Sequence, residues 1–286
     1  MLAIVGTVPA PDFPLVAAKA VLKNDRLEVD TREIQIVRGT PALIAAALLV
    51  LKHFDKEPPF VYLVGDTGEG KGSKTLYDFL CSDLPKQKFK TLVFHYLFPD
   101  VDAQGKVFMA TERMPKRPFL IADAGYMYAA KAAGLAPSYD IFTPDPGELA
   151  FLADEEAPHP LYTRGFLFPD EGKVKELIER AYRHGNAAKI LLVKGRVDFV
   201  VKDGKILATI DDPVVEALEP IGGTGDVITG VLAALVTVGF PPEEAAYLAA
   251  KLNRIGGKLA NPTPATQVRE IIAKIPEAIS CLLNQK

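Results

Sequence analysis

The sequence has few of the residues that build metal or disulfide frameworks. Of its 286 residues only two are cysteine, Cys81 and Cys281, and neither forms a CxxC pair or a cluster with histidine. The four histidines are scattered without the spacing of metal ligands. The composition therefore argues against a structural zinc site and a disulfide scaffold, and it fits a reducing compartment.

An excess of charge and a long apolar run are also missing. The 33 basic and 36 acidic residues leave a net charge of −3, with no Lys/Arg-rich run to attract nucleic acid. The longest apolar run, residues 42–51, falls well short of the roughly 20 residues that span a bilayer. The first residues lack the basic segment of a signal peptide. We therefore expect a cytoplasmic protein that acts on a small molecule, without nucleic-acid or membrane partners.

What is present is an alternation of apolar strands and helical patterns. Such an alternation over some 200 residues is typical of a mostly parallel sheet covered by helices on both faces. Residues 1–38 indicate short strands between proline-rich turns, and the last third of the chain is mostly helical. The sequence predicts an α/β fold with a single domain over residues 1–286, in which residues 1–38 form a β-rich decoration. The buried strands are predicted at residues 60–64, 91–95, 119–122, 139–142 and 189–193.

A glycine-rich turn, Gly222-Gly-Thr-Gly225, runs directly into an apolar helical pattern at Asp226. Glycines and a helix start together present backbone N–H groups to an anion. A carboxylate at this position would repel a phosphate, and it is better explained as a base that takes a proton from a hydroxyl. The alternative is an ordinary capped helix, in which Thr224 or Asp226 satisfies the first-turn amides.

Polar residues also follow three of the predicted strands. The segment Phe142-Thr-Pro-Asp-Pro-Gly-Glu148 ends a strand and opens a helix, where open α/β sheets bind ligands. Its carboxylates Asp145 and Glu148 either coordinate a ligand or simply favour the helix dipole. Asp123 is the first polar residue after another strand. Lys194, after a third strand, is either a solvated charge or a ligand of nucleotide phosphates, and among the histidines only His95 lies where a site could use it.

The segment Gly65–Ser73 matches most of a phosphate-binding P-loop. It departs from that motif because Gly72 stands where a serine or threonine should ligate magnesium. Two acidic residues, Asp66 and Glu69, also lie where phosphate would bind. A loop beside a substrate pocket and a plain strand-to-helix turn are the alternatives, and the sequence does not decide the role of this loop.

Three motifs in order, Thr143-Pro-Asp-Pro-Gly-Glu148, Val193-Lys194-Gly195 and Gly222-Gly-Thr-Gly-Asp226, resemble the ribokinase-like superfamily. The closest resemblance, over roughly residues 119–286, is to the ADP/ATP-dependent NAD(P)H-hydrate dehydratases. It implies a three-layer ribokinase-like fold with extra N-terminal strands, ATP or ADP and Mg²⁺ as cofactors, and a homo-oligomer.

The resemblance also implies roles for individual residues. Asp226 would be the catalytic base, and the anion hole would comprise Gly223, Thr224 and Gly225. The nucleotide would be bound by Lys194, Gly195, Arg196, Asp198, Gly225 and Asn253. The substrate would be bound by Asp123, Asp145, Glu148 and Asp226, with magnesium near Glu148.

The segments that would bind the acceptor substrate differ from those of this family. The family has a histidine where this chain has Asp145, and a Gly-Pro-Gly-Leu-Gly-like strand exit where this chain has residues 94–100. We expect an enzyme that phosphorylates a substrate hydroxyl, as an NAD(P)H-hydrate dehydratase does. A carbohydrate- or vitamin-type kinase and a catalytically silent nucleotide-binding module are the alternatives. The sequence names neither the acceptor nor the preferred nucleotide.

Overall fold

The computed structural model describes residues 1–23, 25–156 and 171–283, and the predicted loop at residues 154–170 lies largely outside them. Within the described residues, eleven strands form one sheet in the order β11-β10-β9-β8-β7-β6-β1-β5-β2-β3-β4. The strands are β1 (Leu2–Val8), β2 (Val16–Lys23), β3 (Arg26–Val29), β4 (Arg32–Gln35), β5 (Phe60–Gly65), β6 (Thr91–His95), β7 (Phe119–Asp123), β8 (Ile141–Phe142), β9 (Ile190–Val193), β10 (Asp198–Lys202) and β11 (Lys205–Ile210).

The middle of the sheet is parallel, as the apolar strands predict. Strands β5, β1, β6, β7, β8 and β9 run in one direction, while β2–β4 and β10–β11 extend the two edges in antiparallel fashion. The N-terminal β-rich segment is therefore divided. Its first strand, β1, lies at the centre of the sheet, and only β2–β4 are peripheral.

Ten α-helices of the described chain cover both faces of the sheet. They are α1 (Thr40–His53), α2 (Lys71–Asp83), α3 (Val101–Glu112), α4 (Gly125–Ala132), α5 (Pro146–Ala153), α6 (Glu171–Arg183), α7 (Thr224–Val238), α8 (Pro242–Ala260), α9 (Val268–Ile272) and α10 (Ile275–Leu283). Strand β1 shows the layering, because Leu2 and Ile4 pack with α1 and α7–α10, whereas Ala3 and Val5 pack with α2–α6. None of the helices in the described ranges is long and apolar enough to cross a membrane.

The sequence patterns missed two elements and merged two others. The side chains of strand β2 are mostly exposed, so it lacks a continuous apolar run. Helix α3 contains Gly105, and it is preceded by the N-cap Asp100, whose side chain accepts a hydrogen bond from the Ala103 amide. The single helix predicted over residues 266–283 is two helices, α9 and α10. Pro276 explains the break, because proline has no N–H for the preceding turn and is tolerated in the first turn of α10.

Helices α1 and α7 pack with their backbones in close contact. A Cβ atom added to Gly230 of α7 would overlap the Leu43 carbonyl oxygen of α1. We therefore expect Gly230→Ala to force the helices apart and to lower the free energy of unfolding by about 1–3 kcal/mol. Gly105→Ala is the matched control, since it meets no atom within 4 Å and should be neutral or stabilising by up to about 1 kcal/mol. Equal midpoints for both variants in urea unfolding would contradict this packing.

Candidate active site

The carboxyl ends of the parallel strands bring separate polar residues together. Strand β6 ends at His95 and β7 at Asp123, and these two residues are direct partners in the sheet register. Lys194 follows β9, and Asp226 lies in the first turn of α7. Their side chains meet in one buried cluster, joined by the hydrogen bonds described below. The predicted strand-end residues Asp123 and Lys194 and the predicted base Asp226 therefore belong to one site.

Asp226 is held by two donors from distant parts of the chain. Its Oδ1 lies 3.0 Å from His95 Nε2, and its Oδ2 accepts a hydrogen bond of 2.6 Å from the Gly39 amide. Gly39 is the N-cap of α1, with a φ of +67° that favours glycine. The carboxylate therefore lies at the positive ends of both α1 and α7, which stabilises its negative charge. Thr40 follows Gly39 as the first residue of α1.

The start of α7 has free backbone donors. Gly223 is the N-cap with a φ of +102°, and no side chain of the described residues caps this helix. Thr224 directs its hydroxyl to the Ile221 carbonyl at 3.4 Å, and Asp226 is bound to α1. The capped-helix alternative is therefore wrong for both residues. The first-turn amides are left unpaired by the helix itself, and Gly222 is exposed, so the turn can receive an anion.

Lys194 and Asp123 form a buried ion pair beneath this turn. Lys194 Nζ lies 2.9 Å from both Asp123 carboxylate oxygens, and Thr229 of α7 donates to Oδ2 at 2.6 Å. Burial by itself raises the pKa of Asp123, but the charges of Lys194 and His95 and the Thr229 hydrogen bond outweigh it, so that pKa is lowered. Burial likewise lowers the pKa of Lys194, and Asp123 and Glu148 outweigh it, so that pKa is raised. Both groups are therefore charged at neutral pH.

Gly225 of the glycine turn lies over this ion pair. A Cβ atom at Gly225 would lie 3.7 Å from Lys194 Nζ and from the adjacent methylene groups. The ammonium group thus lies directly under the glycine turn. Its positive charge adds to the helix dipole at the place where an anion would bind.

Asp145 and Glu148 satisfy each other at the start of α5. Asp145 Oδ1 accepts from the Glu148 amide and Glu148 Oε2 accepts from the Asp145 amide, which is a capping box. Each carboxylate keeps one oxygen without a hydrogen bond from a described residue. Withdrawal from solvent and the neighbouring Asp145 carboxylate raise the pKa of Glu148. The two adjacent carboxylates repel each other, and a bound divalent cation would reduce that repulsion.

The predicted nucleotide residues take different positions. Gly195 and Arg196 are exposed after β9, whereas Asp198 is buried and pairs with Arg254 of α8 at 2.7 Å. Asp198 also accepts from the Gly195 amide, and Arg254 donates to the carbonyls of Gly195 and Arg196. Asp198 and Arg254 therefore shape this loop from inside. Asn253, next to Arg254, is buried with its Oδ1 unpaired among the described residues.

Tyr96 and Phe98 replace the glycine-rich strand exit that the resemblance implied. Tyr96 has a φ of +52° and packs edge-on against His95, with 4.5 Å between ring centroids. Both aromatic side chains are exposed on one side. Burial and the nearby Asp226 carboxylate raise the pKa of Tyr96, so its phenol is neutral. The acceptor side therefore presents aromatic surface beside the carboxylate.

Several site residues were not assigned by the sequence. Gly39, Thr40, Thr229 and Arg254 carried no motif, and His95 was singled out only by its place at a strand end. Thr229 could have been found from helical spacing, because it lies three residues after Asp226 on one helix face. The other residues reach the site only because the folded sheet brings their elements together, so no local pattern marks them.

Three residues of this cluster have side-chain atoms close enough together to ligate one metal ion. Ligand atoms of His95, Asp123 and Asp226 lie within 4.8 Å of one another. The Lys194 ammonium already neutralises Asp123, and His95 Nε2 is within hydrogen-bond distance of Asp226. A protein cation and a hydrogen bond thus account for this cluster.

The Gly65–Ser73 loop holds an internal anion in place of phosphate. The Asp66 carboxylate accepts hydrogen bonds from the amides of Gly68, Gly70 and Ser73 and from the Ser73 hydroxyl, at 2.7–3.1 Å. Burial opposes ionisation here, but these hydrogen bonds outweigh it and lower the pKa of Asp66. Gly72 is needed because a Cβ atom there would overlap the Gly65 carbonyl oxygen. The P-loop alternative is therefore wrong, since the amides at the start of α2 are already occupied.

Lys71 offers a direct test of this conclusion. Its side chain is exposed and pairs only with Glu69 among the described residues. We expect Lys71→Ala to leave the dissociation constant for ATP and ADP within about twofold of wild type, as surface substitutions usually are. Lys74→Ala, another exposed lysine on α2, is the matched control. Loss of nucleotide binding in Lys71→Ala alone, measured by calorimetry, would restore the P-loop interpretation.

Comparison with known proteins identifies the family. The family model described as NAD(P)H-hydrate dehydratase matches residues 101–277. The chain belongs to this family. An uncharacterised protein of Methanocaldococcus jannaschii is 42% identical over 85% of this chain and 100% of its own length. An ADP-dependent (S)-NAD(P)H-hydrate dehydratase of Cenarchaeum symbiosum is 29% identical, and the match spans 48% of this chain and 43% of that protein.

Solved structures support the fold. Pyridoxal kinase of Entamoeba histolytica superposes with a TM-score of 0.59 and 16% identity, over 97% of this chain and 94% of that one. This confirms a ribokinase-like architecture for the dehydratase-family chain, because its elements follow the same path at low sequence identity. The predicted family and fold class are both confirmed.

Proposed function

We propose that this protein is an ATP- or ADP-dependent NAD(P)H-hydrate dehydratase that acts by phosphorylating the hydrate hydroxyl. The observation that carries this proposal is the uncapped start of α7 beside a carboxylate held by α1 and His95. An open anion site and a base on the same turn are the two groups that phosphoryl transfer to a hydroxyl requires.

Asp226 is the base in this proposal. It takes the hydroxyl proton as the substrate oxygen attacks the terminal phosphorus of the nucleotide, and the bond to the leaving nucleotide breaks. The Thr224 and Gly225 amides stabilise the transferred phosphoryl group, with Lys194 beneath them. The carbon–oxygen bond then breaks, phosphate leaves, and loss of a proton from the neighbouring carbon restores the ring double bond. The products are NAD(P)H, phosphate and ADP from ATP, or AMP from ADP.

The nucleotide base lies, in this proposal, over the loop that Arg254 organises. Gly195 and Arg196 are exposed there, and Asn253 lies beside Arg254 in α8. In this proposal Asp198 holds the loop in place and does not contact the nucleotide. Its two oxygens accept hydrogen bonds from Arg254 and from the Gly195 amide.

Magnesium fits the start of α5. The free oxygens of Asp145 and Glu148 are the hard ligands that Mg²⁺ takes, and a cation there relieves the repulsion between them. When bound, Mg²⁺ would neutralise charge on the nucleotide phosphates during transfer. The chain itself supplies the carboxylates and fixes them through the capping box.

The acceptor would lie against Tyr96 and Phe98. Their exposed rings suit the flat ring of a nicotinamide, because aromatic groups stack favourably. This aromatic surface replaces the glycine-rich exit implied by the resemblance, so the pocket differs where the acceptor binds.

The deciding experiment mixes the protein with NADH hydrate and either ATP or ADP. Recovery of NADH absorbance with equal release of phosphate is the expected result, and the faster nucleotide gives the preference. Accumulation of a phosphorylated product without phosphate release would indicate a kinase. Nucleotide binding without turnover of any acceptor in a metabolite screen would indicate a silent binding module.

A further inference from the structure

His95 is fully buried, and both of its ring nitrogens have polar partners. Nε2 lies 3.0 Å from Asp226 Oδ1, and Nδ1 lies 3.0 Å from the Thr40 hydroxyl. A buried imidazole with a partner on each side has a fixed orientation. The chain Thr40–His95–Asp226 therefore connects the first residue of α1 to the base on α7.

The direction of these hydrogen bonds follows from the charge of Asp226. An ionised carboxylate only accepts hydrogen bonds, so His95 Nε2 must carry the proton whether the imidazole is neutral or charged. In the neutral imidazole Nδ1 then accepts from the Thr40 hydroxyl. Each Asp226 oxygen receives one donor and retains capacity to accept another.

We propose that His95 is a positioning residue for the base Asp226. Its N–H and the Gly39 amide hold the carboxylate in one rotamer, with a lone pair left for the substrate hydroxyl. This inference rests on the proposed function of Asp226. His95 transfers no proton in the reaction, since the proton from the hydroxyl ends on Asp226.

The sheet is built to keep this arrangement. Gly6 of β1 is the direct neighbour of His95 in the register. A Cβ atom at Gly6 would lie 2.5 Å from Thr40 Oγ1 and 2.8 Å from the His95 carbonyl oxygen. Glycine at this position in the centre of the sheet lets α1 approach closely enough for Thr40 to reach the imidazole.

The polar and charged groups around His95 leave its imidazole to bind the Asp226 carboxylate. Asp226 faces it from α7, Asp123 Oδ2 from β7 at 3.8 Å, and Thr40 from α1. The Lys194 charge offsets Asp123. Of the two carboxylates, Asp226 is the one within hydrogen-bond distance of the imidazole Nε2.

Kinetics with three variants test the proposal. His95→Leu removes the donor with little change in volume, and we expect kcat to fall about 10- to 100-fold, as for a lost hydrogen bond to a charged group. The nucleotide KM should stay within about twofold, because the anion hole is untouched. His95→Gln restores an N–H near the Nε2 position and should recover much of the loss. Thr40→Val should lower kcat by about 2- to 10-fold.

A purely structural role predicts another pattern. All three variants would then lose thermal stability and nucleotide affinity together, with no rescue by glutamine. Wild-type kcat in His95→Leu would also overturn the proposal. Thr40→Val keeps the imidazole and decides the question if the His95 variants do not fold, because an unchanged kcat there contradicts the proposal.

Proton NMR separates this inference from the proposed function. A buried imidazole N–H bonded to a carboxylate should give a low-field, slowly exchanging resonance that is lost in His95→Gln and moves in Asp226→Ala. If the wild-type protein leaves NADH hydrate unchanged, the proposed function fails. The inference about His95 is then decided by this resonance, since its absence in wild type or an unchanged chemical shift in Asp226→Ala overturns it.

Discussion

Asp226→Asn is expected to lower kcat by about 10²- to 10⁴-fold, the usual loss when a general base is removed. Asparagine has the same shape, and its carbonyl oxygen can still accept from the Gly39 amide. The neutral amide cannot take the hydroxyl proton, so the chemical step fails while the fold is kept. The measurement is steady-state turnover of NADH hydrate with saturating nucleotide.

Nucleotide binding distinguishes a lost base from a lost fold in this variant. The dissociation constants for ATP and ADP should stay within a few-fold of wild type, because the first-turn amides of α7 and Lys194 are unchanged. Asp203→Asn is the matched control, since Asp203 lies exposed in the β10–β11 turn and should turn over at the wild-type rate. Turnover of Asp226→Asn within tenfold of wild type would remove Asp226 from the mechanism.

Lys194→Met is expected to have the largest effect on stability, lowering the free energy of unfolding by about 3–5 kcal/mol. It leaves the Asp123 carboxylate buried, with Thr229 and the Ala124 amide as its remaining hydrogen-bond donors among the described residues. The double variant Asp123→Asn/Lys194→Met removes both charges and should recover much of the loss. Urea unfolding by circular dichroism is the measurement.

An exposed pair provides the control for this ion pair. Lys274→Met breaks the contact with Glu277, in which both side chains are about half exposed, and it should cost less than about 1 kcal/mol. A similarly small cost for Lys194→Met would show that the buried charges are compensated in another way.

The same pair fixes the sign of the pH dependence. The pKa of Asp123 is lowered in the folded protein, so its contribution is present above the unfolded value of about 3.9 and lost as the pH falls through the folded value. The pKa of Lys194 is raised, so its contribution is complete below about 10.4 and lost as the pH rises further. The stability difference between wild type and the double variant should therefore be constant from about pH 5 to 9.

Local patterns were sufficient wherever one segment carries its own physical constraint. The buried parallel strands were predicted from their apolar runs, because a strand covered on both faces has no polar positions. Gly223 and Asp226 were recognised because a left-handed N-cap followed by a carboxylate in a helix start is a local arrangement. Strand β2 was missed, since a strand with mostly exposed side chains places few demands on its sequence.

The phosphate-like loop shows where a local pattern misleads. Its glycines and lysine match a P-loop, yet the amides they would offer are bound by Asp66, seven residues before Ser73. An acidic side chain at that position was the available signal, because a carboxylate competes with phosphate for the same donors.

The sequence by itself determined the family motifs, the parallel α/β architecture and the turn that carries Asp226. The tertiary structure decided what that turn works with. Lys194 reaches Asp123 across 71 residues, and His95 reaches Asp226 across 131. No local pattern encodes such contacts, because they depend on which strands are neighbours and on how closely α1 approaches the sheet. Asp226 was identified from its own turn, but the groups that orient it come from β6 and the start of α1.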